Sequence, residues 1–321
     1  MPHRPTGAGG DTEPGRTRRG AGPVASPAVP PVGIVGAGRA ALALAVALRR
    51  ARVPVVGVHG RRAVPVPPGI RLSSGGAPPW LDRIGVVIVA VSDDAIGSCA
   101  DALARTGALG LGHAALHLSG ALTHDVLAPL GALGVATASM HPLAALGPDP
   151  LAASRRFRGA TFSLEGDLAA VGVADAVVRR LGGTPVTLPP ELKALYHAGA
   201  VFASGSVVTL LAVAVRLLEQ AGVAPDAALP GLLALTRGTL DDVAARGPAG
   251  ALTGPAARGD VATVRHHLAT LSHADAGLYR AVARETLRLA RAAGLDAGRA
   301  AKLEALLREA GQPPDGAGGP P

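Results

Sequence analysis

Short apolar runs alternate with helical stretches over residues 32–189, and this alternation predicts a layered α/β domain. Strands are predicted at residues 32–35, 54–58, 70–72, 84–91, 114–118, 135–139, 160–164 and 185–188. Helices are predicted after the first strand and at residues 168–181. Strands that alternate with helices build βαβ units. We therefore expect a doubly wound parallel sheet with helices on both faces.

The strand pattern stops near residue 189, and only helical patterns follow it. These helices are predicted at residues 191–220, 226–246, 261–272, 275–293 and 298–310. The change predicts an α/β domain at residues 32–189 and an all-α domain at residues 190–310. Residues 1–31 and 311–321 are rich in proline and glycine and lack periodicity, so we expect a disordered tail before the domains and a flexible one after them.

Residues 198–215 carry no charged side chain and approach the length that spans a bilayer. Small or polar residues such as Ser204 and Thr209 interrupt the apolar run, and Lys193 and Arg216 flank it. A helix buried on all sides in a soluble core has the same pattern. We predict a buried core helix and no contact with a membrane.

The first strand leads into a glycine-rich turn at the start of a helix. In Rossmann-type folds the first glycine allows the tight turn, the second lets backbone approach a pyrophosphate, and the helix N-terminus faces that phosphate. Here Ala41 takes the place of the third glycine of the usual fingerprint. An ordinary strand–turn–helix is the structural alternative. The predicted cofactor-binding residues of this turn are Gly36, Ala37, Gly38, Arg39 and Ala40.

The second strand is followed by Gly60, Arg61 and Arg62, where NAD-specific folds usually carry an acidic residue for the ribose 2′-hydroxyl. Arginine suits a 2′-phosphate instead, so we predict NADP(H) in preference to NAD(H). The alternative is that both arginines only solvate a loop. Further cofactor contacts are expected where later strands end, at Val91, Ser92 and Ser119. Asp93 or Asp94 is expected to cap the helix that follows.

Net charge is +8 and the pI is near 11.0, which would suit a nucleic-acid-binding protein. The arginines are scattered along helices, however, and aromatic residues make up only 2% of the chain, which leaves few platforms for stacking bases. We predict a small-molecule substrate and no nucleic-acid partner. The single cysteine, Cys99, suits a reducing compartment and is expected to be a small buried residue. With no signal-peptide pattern, a cytoplasmic location is predicted.

Candidate catalytic residues open the second domain. Lys193 and His197 lie one helical turn apart, on the same side of a helix that is otherwise apolar. Desolvation would lower the lysine pKa and suit it to proton transfer with a ligand between the domains. Both residues could equally form the polar first turn of a core helix.

Three further residues are predicted to contact substrate. His141 follows a strand and could orient a ligand or hydrogen-bond within its turn. In the loop at residues 251–260, Thr253 offers a hydroxyl and Arg258 a partner for a carboxylate, while Asp260 would cap the next helix. That loop could also be an ordinary connection. His266, His267 and His273 lack a carboxylate pair at a usual ligand spacing, so no metal site is predicted.

These motifs together resemble a bacterial family that joins a Rossmann-like domain to a helical domain of unknown function. The family is similar to the β-hydroxyacid dehydrogenase, ketopantoate reductase and pyrroline-5-carboxylate reductase group. The resemblance implies a helical domain like the C-terminal domain of 6-phosphogluconate dehydrogenase, with homodimers formed through it. In that group a Lys-x-x-x-Asn helix carries the general acid/base, and Lys193 matches its lysine while His197 replaces its asparagine.

The sequence thus favours an NADPH-dependent oxidoreductase that reduces a carbonyl or imine of a small substrate. Arg258 as a substrate contact predicts that this substrate bears a carboxylate. Lys193 would donate the proton, and His197 would orient the lysine side chain. The competing hypothesis is a dinucleotide-binding sensor or assembly module that uses the same pocket without turnover. Both hypotheses predict the glycine-rich turn, so that turn does not separate them.

Overall fold

The computed structural model describes residues 28–308, which divide into two compact units at Phe202 and Ala203. The tails predicted at residues 1–31 and 311–321 lie outside the described residues except for residues 28–31. In that short stretch Val29 is buried, and the carbonyl oxygen of Pro31 accepts hydrogen bonds from Gly85 and Val86. These four residues therefore pack on the first unit.

Within the described residues, eight strands form one sheet in the order β3-β2-β1-β4-β5-β6-β7-β8. The strands are β1 (Val32–Val35), β2 (Val55–Gly60), β3 (Leu72–Ser74), β4 (Val86–Val89), β5 (Ala114–His117), β6 (Ala136–Pro142), β7 (Thr161–Gly166) and β8 (Thr184–Thr187). All neighbouring pairs are parallel except β6 and β7, which run antiparallel. The predicted parallel sheet is thus confirmed from β3 to β6 and reversed at β7.

Helices cover both faces of the sheet, as predicted. They are α1 (Arg39–Arg50), α2 (Asp93–Ala104), α3 (Ala128–Gly131), α4 (Pro150–Ser154) and α5 (Leu168–Leu181). Alanine and leucine side chains of α1 and α5 fill the core on one face, where Phe157 and Phe162 also pack. Trp80, with side chains of α2 and α3, fills the core on the other face. Burial on both faces explains why β4 is a continuous apolar run.

The sheet ends at Thr187, close to the predicted boundary, but the first unit continues to Phe202, the last residue but one of α6 (Lys193–Ala203). The second unit holds α7 (Gly205–Gln220), α8 (Pro225–Ala251), α9 (Pro255–Arg258), α10 (Val261–Thr270), α11 (His273–Ala292) and α12 (Ala297–Arg308). Its buried core is formed by small and apolar side chains of α9 to α12, among them Leu287 and Leu303. Helix α8 is kinked at Gly247, where φ is +70°.

The prediction of a fully buried helix at residues 198–215 is wrong for the single chain. The helix breaks at Ser204, and Lys193 is the one residue of α6 and α7 that is buried. Phe202 is 74% exposed and Val208 is 67% exposed. By length and composition alone, Pro190–Gln220 could cross a membrane, since an 18-residue window within it has a mean hydropathy of 2.1. Apolar composition predicted the helix correctly but not what covers it.

Candidate functional site

A cavity of about 850 Å³ lies at the carboxyl ends of β1, β2 and β4. Nine of the eleven residues predicted to contact a cofactor line it: Gly36, Ala37, Gly38, Arg39, Ala40, Gly60, Arg61, Val91 and Ser92. Arg62 is exposed beside Arg61, and Ser119 is buried and bonds Asp93 in the first turn of α2. The carboxyl ends of parallel strands are where doubly wound folds bind dinucleotides.

The glycine-rich turn has the backbone geometry that a diphosphate requires. Gly36 has a φ of +118°, and a Cβ there would lie within 3 Å of the Ala90 carbonyl oxygen. A Cβ on Gly38 would meet no atom of the described residues within 4 Å. Within residues 28–308 no side chain caps α1, so the N–H groups of its first turn remain available to an anion. These residues therefore fit a dinucleotide.

The end of β2 is basic rather than acidic. Arg39 and Arg61 are among the residues that line the cavity, and that lining contains no aspartate or glutamate. His59 directly precedes Gly60 and Arg61. Its Nδ1 atom is 3.0 Å from the Ser73 hydroxyl oxygen. Burial lowers the pKa of His59, opposed by its hydrogen bond to the Gly76 backbone.

Two predictions about α2 need correction. Ser92 is the N-cap residue, so Asp93 and Asp94 belong to the first helical turn. The Asp93 carboxylate instead accepts a 2.8 Å hydrogen bond from the Ser119 hydroxyl. Cys99 is half-buried and lines the cavity, and burial raises the pKa of its thiol to about 11.

Lys193 is 1% exposed at the start of α6. Its Nζ atom donates to the Ser119 carbonyl oxygen at 2.9 Å and to the Ser139 hydroxyl at 2.5 Å. Burial lowers the pKa of Lys193 to about 8, while the negative charges of Glu165 and Asp93 oppose that shift. A buried amine that titrates near neutrality is typical of acid/base sites.

His117 fixes the turn that presents the Ser119 carbonyl oxygen to Lys193. Its Nδ1 accepts a hydrogen bond from the Ser119 N–H at 3.1 Å, and its Nε2 lies 3.1 Å from the Thr123 carbonyl oxygen. That pattern assigns the ring proton to Nε2. Burial, and then the charge of Lys193, lower the pKa of His117 to about 4, so the ring is neutral.

Two of the predicted ligand-contacting residues lie together beside Gly120. The His141 and His197 rings pack edge to face at 5.6 Å, and His141 packs in the same way on Tyr196 at 5.8 Å. A Cβ on Gly120 would lie within 3 Å of both imidazoles. Burial, followed by the charges of Lys193 and His197, lowers the pKa of His141 to about 4. The glycine thus makes room for two histidines next to the lysine.

One carboxylate near this cluster was not among the residues predicted from the sequence. Glu165 in β7 has a side chain only 1% exposed, and its oxygens accept hydrogen bonds from the backbone N–H and Nδ1 of His124. The available signal was that Glu165 directly follows residues 160–164, the apolar run predicted as a strand. His124 carries no comparable signal, because it lies in a short 3-10 helix 41 residues away.

Thr253 and Arg258 belong to the second unit, where both are exposed. Their predicted contacts with substrate stay predictions. The predicted role of Asp260 is confirmed, since its carboxylate accepts a hydrogen bond from the Thr263 N–H at the start of α10. Hydrogen bonds to Thr263, opposed by desolvation, hold the pKa of Asp260 below its usual value.

Known protein structures share this architecture. A Bacteroides fragilis protein described as a candidate NADP oxidoreductase superposes with a TM-score of 0.62 and 21% identity, covering 80% of this chain and 97% of that one. A Thermotoga maritima protein superposes with a TM-score of 0.61 and 23% identity, and the match covers 81% of this chain and 98% of that one. The pyrroline carboxylate reductase of Plasmodium falciparum, with NADP bound, superposes with a TM-score of 0.56 and 11% identity. That match covers 86% of this chain and 99% of the reductase.

Sequence comparison adds one match. Residues 160–286 match the family model of a domain of unknown function, DUF2520. No curated protein matches the chain. At identities this low, the structural matches establish the fold. The chain has the Rossmann-type sheet followed by helices that these proteins share, which confirms the predicted fold class and a likeness in fold to the reductase group.

Proposed function

We propose that this protein is an NADPH-dependent reductase of a small carbonyl or imine compound. The observation that carries the proposal is the buried amine of Lys193, which is bonded to the Ser119 carbonyl oxygen at the end of β5. The Ser119 hydroxyl in turn bonds Asp93, the residue after the cavity-lining Ser92. The proposed proton donor and the cavity lined by the glycine-rich turn therefore lie in one compact unit.

Each residue of the site has a distinct part in this proposal. The glycine-rich turn and α1 hold the diphosphate, and Arg61 pairs with the 2′-phosphate. A nicotinamide dinucleotide supplies a hydride when it is bound. Lys193 gives a proton from Nζ to the substrate oxygen or nitrogen as the hydride reaches the adjacent carbon. His197 and the neutral His141 orient the substrate beside that amine, while Thr253 and Arg258 remain proposed contacts with a substrate carboxylate.

A sensor that binds a dinucleotide without turnover is the competing function. Consumption of NADPH in the presence of a panel of keto acids and cyclic imines separates the two. Turnover with any member supports a reductase. Binding without turnover across the panel, in a protein whose Lys193 is intact and buried, supports the sensor.

We expect NADPH to raise the melting temperature of the protein more than NADH does, because a ligand that binds only the folded state stabilises it. The Arg61→Ala variant should bind NADPH about tenfold or more weakly and leave NADH affinity unchanged, since it removes one charge-assisted contact to a phosphate. Arg83→Ala, an exposed arginine outside the cavity, is the matched control. A larger shift with NADH would contradict the NADP(H) assignment.

We also propose that the protein is a cytoplasmic homodimer whose helical domain forms the interface. In the second unit, α7 and α8 expose large apolar side chains, including Val208, Leu235 and Leu240. Val208→Asp should shift the sedimentation coefficient from dimer to monomer, because it places a charge where apolar surface is buried. Leu168→Asp, at a residue 92% exposed in α5, should leave the dimer intact. A wild-type monomer at high concentration would contradict the proposal.

A further inference from the structure

Glu165 is a buried carboxylate for which the proposed reaction has no role. An isolated charge is costly to bury, so a buried carboxylate needs partners. Glu165 has two from one residue, the backbone N–H and the ring Nδ1 of His124. The His124 side chain is 24% exposed, so this pair connects the buried carboxylate to the protein surface. Both oxygens are thereby held in one orientation.

The sheet register places this carboxylate next to the proposed proton donor. In the antiparallel pair of β6 and β7, Ser139 lies directly opposite Glu165. Side chains of directly opposite residues project from the same face of a sheet, roughly 5 Å apart at Cβ. The Ser139 hydroxyl accepts a hydrogen bond from Lys193 Nζ at 2.5 Å. Glu165 and Lys193 are therefore both neighbours of Ser139, one across the strand pair and one through its hydroxyl.

Several other titratable groups lie near Lys193 or near the residues beside it, and they differ in charge. They are Asp93 on α2, His117 on β5, His124 in the turn before α3, His141 on β6, and Tyr196 and His197 on α6. His117 and His141 are neutral near pH 7, since the pKa of each is about 4. The opposing negative charges come from Glu165 first and Asp93 second.

We propose that Glu165, anchored by His124, is a positioning residue that keeps Lys193 in its ammonium form until the substrate takes the proton. This inference rests on the proposed role of Lys193 as the proton donor. The proton moves from Nζ to the substrate heteroatom, and Glu165 bonds to neither substrate nor cofactor. His124 has a purely supporting part, since its two hydrogen bonds hold the Glu165 carboxylate in place.

The lysine content of the chain permits a direct test. Lys193 and Lys302 are the only lysines, and Lys302 is exposed on α12. Protein made with isotope-labelled lysine should therefore give two side-chain NMR signals, with Lys302 as an internal reference. In Glu165→Gln the titration midpoint of Lys193 should fall by about one unit, because loss of a nearby opposite charge disfavours the ammonium. Lys302 should not move.

Matched variants separate this role from a structural one. Glu191→Gln removes an exposed carboxylate two residues before Lys193 and should leave the midpoint unchanged, because solvent screens it. If Glu165→Gln unfolds the protein, Glu165→Asp withdraws the charge by one methylene and should lower the midpoint by a smaller amount. An unchanged Lys193 midpoint in either folded variant would overturn the proposal, as would an equal shift in Glu191→Gln.

The measurement does not depend on turnover, so its failure differs from failure of the reductase proposal. If wild-type protein consumes no NADPH with any substrate, the coupling of Lys193 to Glu165 can still be seen by NMR. If turnover is found and Glu165→Gln leaves the Lys193 titration midpoint unchanged, only the positioning role of Glu165 is excluded. With a substrate in hand, Glu165→Gln should also move the alkaline limb of kcat/KM to lower pH by the same amount.

Discussion

Lys193→Met should reduce turnover by about a hundred- to ten-thousand-fold while NADPH affinity stays close to that of the wild type. Methionine preserves much of the length and volume of lysine but has no proton to give. The amine bonds the Ser119 carbonyl oxygen and the Ser139 hydroxyl, not the residues that line the cavity. The loss should therefore appear in kcat and not in the dissociation constant of the cofactor, which fluorescence titration can measure.

Lys302→Met is the matched control, since it removes the exposed lysine of α12 and should leave turnover unchanged. The pH profile gives a second check. In the reduction direction, kcat/KM should fall as pH rises through about 8, where the buried amine loses the proton it must donate. Full activity of Lys193→Met at neutral pH would exclude the lysine as the proton donor.

Gly36→Ala should lower the free energy of unfolding by about 2–5 kcal/mol, the combined effect of a left-handed backbone and a steric clash. The φ of +118° disfavours any side chain, and a Cβ would lie within 3 Å of the Ala90 carbonyl oxygen. Because that oxygen belongs to the main chain at the end of β4, it cannot rotate away. Chemical denaturation of the two proteins measures the difference.

Gly38→Ala, two residues along the same turn, should have the opposite profile. Its φ of −81° is ordinary, and a Cβ would meet no protein atom. We expect near wild-type stability but dinucleotide binding weakened by about ten- to a hundredfold, since the methyl group occupies the approach of the diphosphate to the backbone. Unchanged NADPH affinity in Gly38→Ala would place the diphosphate elsewhere.

Features with local signals could be predicted from the sequence. Strand β1 and helix α5 have the predicted bounds, because each combines a strong periodicity with clear ends. The glycine-rich turn was recognisable since its chemistry depends on the order of adjacent residues. The cap at Asp260 was likewise a local signal, one side chain bonding a backbone N–H three residues away.

Features that depend on distant partners could not be predicted in this way. Periodicity does not encode strand direction, so the reversal of β7 was missed. The composition of residues 198–215 indicated an apolar helix without showing that the single chain leaves it uncovered. The pairing of Glu165 with His124 joins residues 41 positions apart, and no spacing in the sequence reveals it.

The lysine amine is held by a main-chain oxygen, that of Ser119, as well as by a hydroxyl. No side-chain replacement removes a carbonyl oxygen from the backbone. Libraries that randomise His141, His197 and Tyr196 could therefore alter substrate preference while one anchor of the amine is retained. This division between a fixed backbone anchor and exchangeable neighbours makes the site a starting point for directed evolution.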